Sequence, residues 1–156
     1  MTNYNSEILD KLDGNYNNYV ILKNKYNKLL DQQIRILLNT IDKYNPIMKW
    51  YKMNKVNFMH YSLPFQTTSG PILGYNKEEN RAIIYDLEKK LIITMRDTYP
   101  RDVKHYPYYQ LILDGFFIES IKSLKYLEDN FSKDIKLLKE NIEIASCNLE
   151  KVKSIL

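Results

Sequence analysis

The stretch FFIESIKSLKYLEDNFSKDIKLLKENIEIASCNLEKVKSIL, residues 116–156, decides the fold class. Alternating steps of four and three pick out Phe117, Ile121, Leu124, Glu128, Phe131, Ile135, Leu138, Ile142, Ala145, Leu149, Val152 and Leu156, and eleven of these twelve are apolar. Strands repeat every two residues, so a 3.5-residue period held this long predicts a helix with one apolar seam of coiled-coil type. No proline or glycine follows Gly115. A helix from about Leu111 to Ile155 would run ~65 Å at ~1.5 Å per residue. Ser132, within DNFSKD, is a residue type that caps helix N-termini and marks where this helix is expected to break if it breaks at all.

Working outward, the N-terminal arm carries a second stripe: Ile8, Leu12, Tyr16, Tyr19, Leu22, Tyr26, Leu30, Ile34, Leu37, Ile41 and Tyr44. Its steps of four come closer to a straight helix than to a strict heptad, and Gly14 among Asn15, Asn17 and Asn18 weakens its first turns. Pro46 is expected to end it, because the residue before a proline is pushed out of the α region. An amphipathic helix leaves its stripe in water unless another surface covers it. The two arms are therefore expected to cover each other as an antiparallel hairpin, or to self-associate into a bundle. Extra apolar positions at Leu137 and Ile144 favour three or more helices over a two-stranded rod.

Between the arms the period changes to two. RAIIYDLEKKLIITMRD reads as a β-hairpin turning at Glu88-Lys89-Lys90, with Ile83, Tyr85 and Leu87 on one face and Leu91, Ile93 and Met95 on one face of the return strand. GPILGYN predicts a third strand and VNFMHYSLPF a fourth, placed at an edge by Pro64. DTYPRDVKHYPYY, with two prolines, reads as a loop. The fold class is thus α+β and predominantly helical, one domain of three parts: a helical arm over 1–45, a strand-containing middle over 46–106 and a helical arm over 107–156. A helix, a small strand-rich middle and a returning helix resembles, in layout, the prefoldin-type chaperone subunits, which implies a self-assembling or chaperone-like scaffold as one reading.

At 156 residues the chain is long enough to bury a core. No run approaches the ~20 apolar residues that span a bilayer, and the start MTNYNSEILDKLDG lacks a signal-peptide pattern, so no membrane role and a cytoplasmic location are expected. The single Cys147 has no partner for a disulfide. Abundant Ile, Asn, Lys and Tyr with only two alanines is the signature of A/T-rich codons, which suits a phage or mobile-element protein that docks on a host factor and inhibits it.

Formal charge is uneven. Residues 1–44 carry +1, 45–77 carry +4 with no acid at all, 78–106 are neutral and 107–156 carry −1. Lys49, Lys52 and Lys55 alternate with Trp50, Tyr51 and Phe58, which makes these six residues the candidate partner-binding surface. Aromatic residues are enriched at protein hot spots, and a cationic rim steers an acidic partner. The same chemistry would suit single-stranded nucleic acid over residues 49–65, with phosphates neutralised and bases stacked on rings. A net charge of +4 is small for a duplex binder.

Nothing in the sequence assembles a reaction centre. His60 and His105 lack metal-binding spacing and read as surface or loop histidines, and Cys147 falls opposite the C-terminal seam. Four scattered glycines form no phosphate loop. The best catalytic candidate by proximity is the loop holding Arg96, Asp97, Arg101, Asp102, His105, Tyr106 and Asp114. The reading is a non-enzymatic protein-interaction module with no catalytic residue, metal or cofactor, a protein partner of acidic surface, nucleic acid as the alternative, and homo-oligomerisation.

Overall fold

A computed structural model describes residues 2–96, 98 and 102–156. The architecture is α+β: a long N-terminal helix, a small antiparallel sheet and a C-terminal helical segment. Helix α1 spans Thr2–Met53, ~78 Å at ~1.5 Å per residue. Its buried positions run Leu30, Leu37, Ile41, Tyr44, Met48 and Tyr51, with Ile34 partly buried between the first two. That is an unbroken alternation of four and three, and it passes straight through Pro46.

Pro46 therefore does not end α1, contrary to expectation. A proline inside a helix costs ~3 kcal/mol, but each large apolar side chain fully buried beyond it contributes about 1.5–3 kcal/mol. Met48 and Tyr51 are both buried, so packing outweighs the lost backbone bond. The helix stops instead in a Schellman arrangement. The Val56 N–H donates to the Tyr51 carbonyl at 3.0 Å, the Lys55 N–H donates to that of Lys52 at 3.3 Å, and Lys55 takes the left-handed conformation at φ 54°. Glycine is the residue suited to that position. Lys55→Gly is expected to raise the unfolding free energy by about 1 kcal/mol. This is read as a higher denaturant midpoint at constant slope, and a lower midpoint would contradict it.

Strands β3 (Ile72–Asn76), β4 (Arg81–Asp86), β5 (Leu91–Arg96) and β6 (Val103–His105) form one antiparallel sheet in that order. The expected hairpin is β4–β5. The Asp86 carboxylate accepts the N–H groups of Glu88 and Lys89, and Lys90 sits at φ 56° to close the turn. Ile83 and Tyr85 with Ile92 face the main core, whereas Ile84 opposite Ile93 and Ala82 opposite Met95 face the other side, so both faces of the hairpin are covered. The outer cover comes from Phe65, stacked on Tyr75. VNFMHYSLPF does not join this sheet: β1 (Phe58–Met59) pairs only with β2 (Gln66–Thr67) as a separate ribbon. The fourth strand is β6, inside the segment expected to be loop. It is exposed throughout, as suits a sheet edge followed by Pro107.

The C-terminal helical segment is three helices. Helix α2 (Tyr108–Leu113) ends where Gly115 turns at φ 86°. Helices α3 (Phe117–Tyr126) and α4 (Ser132–Ile155) are separated at residues 127–131. The break falls beside Ser132 as expected, but the N-cap is Phe131, with no side-chain cap bond. Helices α2 and α3 pack against α1, and α3 also packs against β3. Helix α4 buries none of its residues, so the mutual cover expected of the two arms stops at residue 127.

Candidate functional site

The six residues expected to form one surface are divided by the fold. Lys49 and Lys55 are exposed and Trp50 is 48% exposed. Lys52 is half-buried, its Nζ 3.7 Å from the Glu88 carboxylate. Tyr51 and Phe58 are corrections: both are core residues, stacked face to face at 5.0 Å. The Tyr51 hydroxyl donates to the Leu127 carbonyl at 2.5 Å, and burial pushes its pKa up to about 12. The reason is the α1 register: Tyr51 lies on the buried stripe, whereas Trp50 lies one residue off it.

Trp50 is the centre of a different feature. Its ring meets Phe131 edge-on at 6.3 Å, over a shallow apolar groove lined by Pro46, Ile47, Leu127 and Glu128. The groove sits where the α3–α4 break meets the last turns of α1, at the foot of α4.

His60, expected at the surface, is buried. Its Nδ1 accepts the N–H groups of Ser62 and Leu63, both at 3.1 Å. The proton must therefore reside on Nε2, 3.3 Å from a Glu119 oxygen. Burial pushes the His60 pKa down to about 4. Burial raises that of Glu119, against an opposing pull from Lys77. The linkage sign follows: a histidine that ionises near 6.5 when unfolded but near 4 when folded contributes stability above pH 6.5, lost progressively as pH falls toward 4. Between pH 7.5 and pH 5 the wild type is expected to lose up to about 2 kcal/mol more than His60→Gln. Equal losses in the two denaturation series would contradict it.

In the loop considered as a catalytic candidate, Asp97 and Arg101 lie outside the described residues. Asp102 receives Arg81 Nη1 at 2.8 Å and lies 3.3 Å from Arg96 Nε. These guanidinium groups, Arg81 first, hold its carboxyl below the usual range. Asp114 accepts the Tyr106 hydroxyl and the Gln110 amide, and His105 is exposed on β6. Both described carboxylates, Asp102 and Asp114, are thus held by neighbouring side chains. Cys147 is exposed. Among the described residues no group of three or more His, Cys, Asp or Glu is placed to hold a metal, and no helix is long and apolar enough to cross a membrane.

The largest anomalous surface is elsewhere. No residue of α1 between Asn3 and Leu29 is buried, and every residue from Phe131 to Leu156 is exposed. At ~100° per residue, Ile8, Leu12, Tyr16, Tyr19, Leu22 and Tyr26 fall within the same ~120° arc as the buried Leu30, Leu37, Ile41 and Tyr44. One continuous apolar stripe is therefore covered in its second half and bare in its first. On α4, Ile135, Leu138, Ile142, Leu149 and Val152 form an equally bare seam. Compared with protein-family models, with curated proteins and with solved structures, the chain matches none.

Proposed function

We propose that this chain is a non-enzymatic protein-interaction module that engages its partner through the bare apolar stripes of α1 and α4. The sheet, α2, α3 and the inner half of α1 serve as the rigid base. The observation that supports this reading is the contiguity of those stripes. Apolar side chains exposed singly are ordinary, but rows of six and five at helical spacing are the pattern of a contact surface. A helix in a protein draws most of its stability from packing of its apolar face, so each arm gains stability from a covering surface.

Lys49 and Lys55 beside Trp50 add a cationic rim at the foot of α4, where acidic side chains of the covering surface would speed encounter. The single-stranded nucleic-acid reading is less favoured, since Tyr51 and Phe58, two of the five rings in residues 49–65, are in the core.

The test places a photo-crosslinking residue at Tyr19, at Ile142 or at Asn24, which lies on the far side of α1, in the cells that make the protein. Protein adducts are expected at Tyr19 and Ile142 and not at Asn24. No adduct from either stripe would overturn the proposal.

A further inference from the structure

Resting on that reading, we infer that the surface covering the bare stripes is a second copy of this chain, with α4 of each copy lying along residues 4–29 of α1 in the other. Four features of the arms lead there. First, the stripe on α1 is already covered, from Leu30 onward, by elements that include α3 of its own chain. In sequence, the seam of α3, Phe117, Ile121 and Leu124, keeps the same four-and-three spacing as that of α4 across the break at 127–131. Laying α4 on the bare half of α1 extends an interface the fold already uses, while α4 of the same chain leaves that half bare.

Second, the lengths match. Residues 4–29 span ~39 Å and the 24 residues of α4 ~36 Å at ~1.5 Å per residue, so each covers the other end to end. Third, the side chains complement each other. The α1 stripe is rich in tyrosine, with Tyr4, Tyr16, Tyr19 and Tyr26 all more than half exposed, whereas the α4 seam is aliphatic with a small Ala145. Bulky rings pack against small and aliphatic side chains more closely than against their own kind. The charges do not oppose it: α4 carries five lysines and four acids, and residues 3–29 carry four and three.

Fourth, α4 has a second apolar strip, Leu137, Ile144 and Ile155, about 120° around the helix from its seam. One neighbouring helix cannot cover both. A reciprocal pair, closed by a twofold axis, gives each α4 the bare half of α1 of the other copy as its first neighbour. Rows this long on both arms also exceed what a small, wet contact offers and are of the order needed for a stable dimer.

The experiment uses the full chain. Light scattering at micromolar concentration is expected to give twice the 18.7 kDa chain mass. Leu138→Lys with Ile142→Lys is expected to weaken association by roughly 10,000-fold or more, the consequence of losing four buried aliphatic side chains, two from each copy. Both positions are exposed in the single chain, and unchanged near-ultraviolet circular dichroism would show the base intact. A photo-crosslinker at Tyr19 in a mixture of isotopically light and heavy chains is expected to join a light peptide of α1 to a heavy peptide of residues 135–152. A monomer at all concentrations, adducts confined to one copy, or links of α1 to α1 would each overturn the reciprocal arrangement. If adducts in cells instead join Tyr19 to a different protein, self-pairing fails while the interaction-module reading stands. A chain that stays monomeric and forms no adduct in cells sinks both.

Discussion

Gly70→Ala is expected to destabilise the protein by about 3 kcal/mol or more, out of proportion to the single methyl it adds. A Cβ at position 70 would stand 1.7 Å from the Tyr85 carbonyl oxygen and 2.9 Å from its carbon. These are backbone atoms of β4, which cannot rotate aside as a side chain could. The backbone bonds from Leu87 N–H to Ser69 and from Tyr85 N–H to Pro71, both 3.0 Å, hold the two chain segments together at this point. Relieving the clash means breaking them, and with them the lead into β3. Gly14→Ala is the matched control: a Cβ there meets nothing within 4 Å, and alanine is worth roughly 0.5–1 kcal/mol over glycine inside a helix. Chemical denaturation should show a large fall for the first variant and none for the second. Parity between them would contradict the close approach of residue 70 to β4.

The second large effect is expected at Arg81. It is 2% exposed, and all its nitrogens donate. Nε reaches Thr94 Oγ1 at 2.9 Å, Nη1 reaches the Asp102 carboxylate at 2.8 Å, and Nη2 reaches the carbonyls of Thr94 and Asp102, each at 3.0 Å. The planar fork ties β4 to β5 and to the chain entering β6 in one plane, a geometry lysine cannot reproduce. Losing the buried guanidinium leaves the Thr94 hydroxyl and carbonyl without these donors, and a buried polar group left unpaired costs ~1–3 kcal/mol. Arg81→Met is expected to lose about this much for each of the two, with little added by Asp102, which is partly exposed and rehydrates. Arg81→Lys should recover only part of that loss, as a single point donor. Full recovery by lysine would show that charge alone, without the fork, holds this corner.

Much of this architecture is legible from periodicity. The helical arms and the β4–β5 hairpin follow from the 3.5- and 2-residue repeats, because those repeats record which side of an element meets a core. What periodicity could not reveal is where the cover stops. The seam of the C-terminal helices reads identically on Leu124, which is buried, and on Leu138, which is bare, since only tertiary contacts distinguish them. The polar Glu128 within an otherwise apolar seam, followed by Asp129 and Asn130, was the local mark of the break.

The candidate surface was partly misread for a similar reason. A local rule about Pro46 ended the helix too early. Carrying the four-and-three spacing onward through Ile41 and Tyr44 would have reached Met48 and Tyr51 and placed Tyr51 inside. Burial energy overrode the proline. The burial of His60 and Phe58 had no comparable signal, because short strands and the ribbon β1–β2 carry too few residues to establish a period. The edge strand β6 was hidden by its polar sequence and its prolines, both normal for an edge.

The central claim is that the first half of α1 and all of α4 are contact surfaces left bare in the single chain. Amide hydrogen exchange across a dilution series tests it most directly. Residues 30–53 are expected to stay protected at every concentration, while residues 4–29 and 132–155 exchange rapidly when dilute and become protected together as concentration rises. Arms already protected at high dilution to the level of Leu37 and Met48, or unprotected at all concentrations, would contradict it.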